Sequence, residues 1–202
     1  TTRTLGHLMP NPNELAGLLR EKSGKALRFM VGIAAAPAAG KSTLAEHLRD
    51  ALIAQGESAI VVPMDGFHFD DAVLNKRGHR QRKGAPHTFD VLGFEVLLKR
   101  IKAREADIAI PVFDRTQELS RAAADIVTDE AKFIIVEGNY LLLKQKPWER
   151  LKPLFDFTIY LSVPIEELEA RLTQRWLDLG FDMNYAKNWI ASNDLLNIKT
   201  VI

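Results

Sequence analysis

The segment Ala34-Ala35-Ala36-Pro37-Ala38-Ala39-Gly40-Lys41-Ser42-Thr43 constrains this chain more than any other, because the largely apolar run Leu27 to Ile33 stands directly before it. A strand that enters a small-residue loop and leaves through Gly-Lys-Ser into a helix has the layout of a phosphate-binding loop. Backbone N–H groups in such a loop converge into an anion nest, and the helix behind it offers its positive end. Lys41 adds a full charge at the β/γ-phosphates, and Ser42 supplies a hydroxyl for Mg²⁺. Ala36, Ala38, Ala39, Gly40, Lys41, Ser42 and Thr43 are therefore the candidate nucleotide-binding residues. Ala35 stands where this motif usually has its first glycine. If that position needs a left-handed backbone, alanine costs about 1–2 kcal/mol, which the many charge-assisted bonds of a phosphate site offset.

Helical and strand patterns alternate along the rest of the chain, which predicts crossover helices on a mostly parallel sheet. The expectation is one α/β domain over residues 1–202, a three-layer α/β/α sandwich of the P-loop NTPase type. Asn13 is the expected cap of a first helix, and Leu44, Leu48 and Leu52 form the buried stripe of the loop's own helix. Ser58 to Val62, Ile108 to Phe113, Phe133 to Val136 and Phe157 to Val163 read as strands, and Val91 to Arg104 and Ile165 to Leu179 as helices. Pro147 opens a short helix, another covers Tyr185 to Ser192, and Asn197 to Ile202 reads as a closing strand. Residues 64–90 show no periodicity and many turn residues, so they read as a long substrate-side loop. Residues 114–131, also expected on the substrate side, fit either a helix or a hairpin between Arg115 and Glu130.

Four requirements of phosphoryl transfer have candidates here: a held triphosphate, a held metal, an oriented hydroxyl and neutralised charge. Asp65 follows the second strand, where open α/β sheets place ligands, and a carboxylate there can take the proton of an attacking hydroxyl; an Asp-Gly turn is the plainer reading. Glu137 closes an apolar strand, where a carboxylate is costly to bury unless it faces a cation. Arg171 and Arg175 share a helix face, as a phosphate clamp or as solvated partners of Glu167 and Glu169. The basic run Lys76 to Lys83 can attract an anion or simply face water. His68, three residues past Asp65, is a candidate substrate contact. The five histidines lack metal-ligand spacing, and the scattered Trp148, Trp176 and Trp189 suggest core packing.

Balanced charge, +1 over 202 residues, and a basic run without interleaved aromatics disfavour nucleic acid as a partner. Without cysteine there is no disulfide, thiolate metal site or cysteine nucleophile. No apolar run approaches the ~20 residues of a membrane helix, and Thr1 to Pro10 shows no signal-peptide core. A cytoplasmic enzyme without a membrane partner is the expectation.

Six segments in order carry a resemblance across roughly Arg28 to Ile202. They are Ala35 to Thr43, Met64-Asp65-Gly66-Phe67, Arg82 to Asp90, Pro111-Val112-Phe113-Asp114-Arg115, Ile135-Val136-Glu137-Gly138-Asn139, and the Arg171/Arg175 helix. Together they resemble the P-loop kinase family that contains uridine kinase, phosphoribulokinase and bacterial pantothenate kinase. Gly138 to Leu143 and Ser192-Asn193-Asp194 resemble a bacterial subgroup named as sugar-transport or fructose kinases. The resemblance implies ATP and Mg²⁺ as cofactors, Asp65 as catalytic base, Lys41 and Arg175 on the transferring phosphoryl group, a lid near residues 171–188, and Ser42 with Glu137 on the metal. It places Asp114 and Arg115 toward the acceptor, and Asn139 belongs to the same group of substrate candidates. Glu118 stands near the place of a uridine-kinase histidine, and Phe113 and Arg115 replace a tyrosine and a histidine of pantothenate kinases. Arg115 with the basic run suits an acceptor bearing carboxylate or phosphate. The expected activity is transfer of the γ-phosphate of ATP to a hydroxyl of a small metabolite, a sugar, nucleoside or pantothenate-like acceptor, with room for a homodimer. The alternative is a nucleotide-dependent regulatory or binding protein with little kinase activity.

Overall fold

Strands buried on both faces need unbroken apolar sequence, and three segments supply it: β2 (Phe29–Ala35), β6 (Phe133–Gly138) and β7 (Phe157–Leu161). The computed structural model describes residues 2–5 and 11–202. In it these strands form the centre of a five-stranded parallel sheet, flanked by β1 (Thr2–Leu5) and β3 (Ala59–Pro63) in the order β1-β7-β2-β6-β3. Alternate residues of β2 enter different cores. Phe29, Val31, Ile33 and Ala35 face a cluster with Leu44, Leu48 and Leu52 of α2 (Lys41–Ala54) and Leu15 and Leu19 of α1 (Pro12–Ser23). Met30 and Ala34 face a cluster with Phe94, Leu98 and Ile101 from the helix Val91–Lys102. Helices on both faces of a mostly parallel sheet make the three-layer α/β/α architecture that the alternating pattern predicts.

Between β3 and that helix the chain is more ordered than a loop. It holds a 3-10 turn over Met64–Phe67, a short helix α3 (Asp71–Lys76), and 3-10 turns at Arg80–Arg82 and Pro86–Thr88. The helix Val91–Lys102 is α4. The open choice over Arg115 to Glu130 resolves as a hairpin: β4 (Ile108–Asp114) pairs antiparallel with β5 (Leu119–Val127), apart from the main sheet. Gly66 is essential to that packing, since a Cβ there would run into the Pro111 carbonyl of β4. Pro147 precedes a 3-10 turn at Trp148–Arg150.

Two expectations are corrected. Asn11, not Asn13, caps α1: its side chain accepts from the Asn13 amide at 2.9 Å, and Pro12 takes the first helical position, where its fixed φ fits and its missing N–H costs nothing. Asn197 to Val201 is not a strand but the end of the last helix, and Ile202 follows as its C-cap. After α5 (Ile165–Asp178), the chain runs through α6 (Met183–Trp189), a π-helical turn at Ile190–Asp194 and α7 (Leu195–Val201). The sheet edge beside β7 is already taken by β1, four residues too short to carry a period. Among the described residues no helix is long and apolar enough to cross a membrane; residues 1 and 6–10 of the segment read against a signal peptide lie outside them.

Candidate active site

The loop after β2 keeps the expected form, with its strain elsewhere than expected. Ala35 is the buried last residue of β2 in extended backbone, so no glycine is required there. The left-handed residues are Ala38, at φ 64°, and Gly40, at φ 90°. Alternating handedness of this kind turns successive amides inward. Ala36 and Ala39 are buried, and the Ala39 amide donates to the Ala36 carbonyl at 3.2 Å, closing the loop. Lys41 begins α2 with only 8% exposure, so its ammonium lies at a helix N-terminus within the protein. Thr43 is exposed on the same helix.

Ser42 and Glu137 meet across the ends of α2 and β6. The Ser42 hydroxyl donates to Glu137 Oε1 at 3.1 Å, while the buried Oε2 has no partner. Burial raises the Glu137 carboxyl above its usual range, against the opposing pull of Lys41. A buried carboxylate oxygen left open beside a hydroxyl and a phosphate nest fits a hard cation with oxygen ligands. The residues present therefore fit Mg²⁺ carried on a nucleotide. Among the described residues no group of three or more His, Asp or Glu side chains forms a metal cage, and none is needed where most ligands are phosphate and water.

Asp65 enters from the 3-10 turn after β3. That turn lies close against β6, because a Cβ on Gly138 would collide with Met64. The Asp65 carboxylate accepts from Arg115 Nη2 at 2.9 Å, and its backbone carbonyl meets His68 Nδ1 at 2.8 Å. Burial by itself would raise the Asp65 carboxyl, but Lys41, His68, Arg115 and Arg175 together hold it below the ordinary carboxylate range. Burial lowers the His68 imidazole, which packs on Phe89 at 4.0 Å between ring centres. The Nδ1 contact holds the ring against the turn, and the Asp65 carboxylate lines the cavity beside Lys41 and Arg115.

Lys41, Asp65, His68, Arg115, Asn139 and Arg175 line one cavity of about 450 Å³, together with Pro37 and Ala38 of the loop. The structure brings these sequence candidates together; others lie outside the lining. Arg171 pairs with Glu167, as the solvated-partner reading expects, and also donates to the Ala38 carbonyl at 3.1 Å, which ties α5 to the loop. Asp114 does not line the cavity: its Oδ1 accepts the amides of Thr116 and Gln117, both at 3.0 Å, and its Oδ2 pairs with Arg121 at 3.4 Å. Its work is to shape the turn that carries Arg115. The basic run is neither free nor merely solvated. Arg80 and Lys83 pair with Asp71 at 2.6 and 2.7 Å, and Arg82 donates to the side-chain oxygens of Asn193 at 2.6 Å and Asn197 at 3.1 Å.

Sequence reasoning missed the far wall. Trp176 and Trp189 do not serve the core alone: they line the cavity with Phe181 and Tyr185, and only Trp148 is fully interior. Asp194 joins them, its Oδ2 accepting from Trp176 Nε1 at 3.0 Å. Phe181, Tyr185 and Trp189 recur at intervals of four, a spacing that places them on one side of a helix and could have flagged the wall.

Residues 30–183 match the model of the phosphoribulokinase / uridine kinase family. The uncharacterized protein YggC of Escherichia coli (strain K12) is 33% identical over 179 residues, 87% of this chain and 73% of that protein. A pantothenate kinase of Rhodococcus opacus (strain B4) is 34% identical over 160 residues, 75% of this chain; those residues make up only 49% of that enzyme, so the chain spans about half its length. A solved structure from Silicibacter sp. TM1040, provisionally named a fructose transport system kinase, superposes with a TM-score of 0.90 at 41% identity, covering 95% of this chain and 94% of that one. Sequence, fold and loop geometry agree, and the chain belongs to the phosphoribulokinase / uridine kinase family of P-loop kinases.

Proposed function

We propose that this chain uses ATP with Mg²⁺ to phosphorylate a hydroxyl of a small metabolite, a sugar, nucleoside or pantothenate-like acceptor. The observation that carries this reading is the Asp65 carboxylate, held ionised in the same cavity as the loop lysine. An ionised carboxylate in that cavity can take the proton of an acceptor hydroxyl, which transfer chemistry requires and nucleotide binding alone does not. When bound, MgATP would supply the phosphoryl group and a divalent charge to offset that of the phosphates. The chain's own residues do the rest. Loop amides between Ala36 and Thr43, Pro37 having none, would cradle the phosphates, Ser42 and Glu137 would hold the metal, and Lys41 and Arg175 would spread the charge of the transferring group. Asp65 orients the acceptor hydroxyl and takes its proton as the oxygen closes on phosphorus. Positioning and charge account for most of the catalysis of such a reaction.

The test is ADP release from MgATP across free sugars, nucleosides, pantothenate and sugar phosphates, with the Lys41→Ala chain as blank. Release above the blank that depends on an acceptor supports the reading. Nucleotide binding without stimulated release by any acceptor would overturn it in favour of a regulatory P-loop protein.

A further inference from the structure

Ala38 is the one residue of the loop other than glycine with a left-handed backbone, at φ 64°. That region is disfavoured for an L-residue by roughly five- to thirtyfold in population, and a residue stays there only where its surroundings over-determine it. Gly40 reaches φ 90° without the penalty. One restraint on Ala38 is local, since the next amide, that of Ala39, donates to the Ala36 carbonyl at 3.2 Å. A second comes from another element. Among the described residues, Arg171 of α5 is the one side chain that bonds the backbone of residues 36–40, its Nη1 donating to the Ala38 carbonyl at 3.1 Å.

The helix presents Arg171 from a fixed base. Leu168 and Leu172 bury α5 in the same core cluster that holds Ala39 and packs against Ala38, and Glu167, one turn back, accepts from the other terminal nitrogen, Nη2. In a planar trans peptide the carbonyl and the following N–H point opposite ways. A guanidinium on the Ala38 carbonyl therefore keeps the Ala39 N–H turned toward Ala36. Arg171 is absent from the cavity lining, whereas Arg175, one turn on, belongs to it. The two arginines of one helix face thus have different neighbours: Arg175 the space for a ligand, Arg171 the loop itself.

Resting on the nucleotide site of the reading above, we propose that Arg171 is a positioning residue: it holds the Ala38–Ala39 peptide so that the loop keeps its phosphate-binding shape before a nucleotide arrives. A loop that holds that shape only part of the time binds with its affinity reduced by the same fraction. Arg171 then acts on nucleotide affinity through the loop, and the phosphates are left to Lys41, Arg175 and the loop amides.

A double-substitution cycle on the full chain tests this, read by isothermal titration calorimetry with MgADP and by amide hydrogen exchange of the nucleotide-free chain. Arg171→Ala removes a side chain that is 40% exposed and leaves the buried contacts of α5 in place. It should weaken MgADP by about fivefold and speed exchange of the Ala39 amide by a similar factor. Ala38→Gly relieves the left-handed strain, and a loop that already keeps its shape gains little from a further restraint. In that background Arg171→Ala should cost less than about twofold in either readout. Losses of equal size in both backgrounds would overturn the proposal and return Arg171 to direct phosphate contact. In a chain that binds MgADP, Arg171→Ala with either readout unchanged would overturn it as well. The exchange measurement needs no nucleotide: if it follows the cycle while MgADP does not bind, the kinase reading falls and the positioning role stands. If MgADP binds and acceptors stimulate ADP release while both readouts ignore Arg171, the kinase reading stands and this inference falls.

Discussion

At the loop end of the cavity, Ala36 to Ser42 lie on one uninterrupted strand, loop and helix, and the proposed phosphate nest is largely backbone. The acceptor end draws instead on the turn after β3, the segment around Arg80 to Phe89, the β4–β5 hairpin and the helices α5 to α7. Side-chain pairs hold these pieces in place: Arg82 ties the 3-10 segment to Asn193 and Asn197, and the Tyr140 hydroxyl donates to the Gly84 carbonyl at 2.6 Å. A backbone nest survives most side-chain changes outside it. An assembly of paired side chains does not, and its shape is free to vary among relatives that share the same loop.

The largest effect expected from this contrast is at Lys41. Its replacement by alanine should lower turnover by roughly 10³-fold or more with the fold intact by circular dichroism, because a positioned charge on the phosphoryl group is lost. Arg82→Ala should separate the two ends. Loss of its charged hydrogen bonds costs about 1.5–3 kcal/mol and loosens α7, so the acceptor KM should rise by about tenfold while the nucleotide KM changes little; an equal rise in both would contradict the contrast. The smallest effect is electrostatic and opposite in sign at the two ends. Glu137, raised by burial, holds its proton more tightly when folded, so its contribution to stability is full below the ordinary carboxylate value of 4.5 and fades as pH rises through the raised one. Asp65, lowered by its cations, contributes above 3.8 and loses that contribution as pH falls. Glu137→Gln should therefore flatten a fall in nucleotide-free stability above about pH 4.5, a slope of at most about 1.4 kcal/mol per pH unit, measured by urea unfolding across pH. An unchanged slope would remove Glu137 as its source.

Legibility in the sequence follows the same division. The loop, Asp65 and Glu137 were readable because each sits at the end of an apolar strand, and strand order in a parallel sheet brings such ends together. β1 was not readable, since Thr2 to Leu5 gains its stability from pairing with β7 and not from any pattern of its own. Asn197 to Ile202 has the β-branched look of a strand, yet continuity with the preceding helix and the occupied sheet edge override that preference. Asp114 was expected toward the acceptor, but the turn's own amides claim its carboxylate. The spacing of Phe181, Tyr185 and Trp189 was a local trace of the far wall, but the meeting of Trp176 with Asp194, 18 residues on, left none, because it forms only after the helices fold back over the cavity.

Asp65→Asn offers the most direct test of the central claim, with nucleotide affinity and acceptor-dependent ADP release measured on the same preparation. If Asp65 is the base of a kinase, the variant should bind MgATP within about twofold of the parent chain while transfer falls by roughly 10²–10⁴-fold, the contribution of a positioned general base. Transfer close to the parent rate, with Asp65 gone and the fold intact, would contradict it.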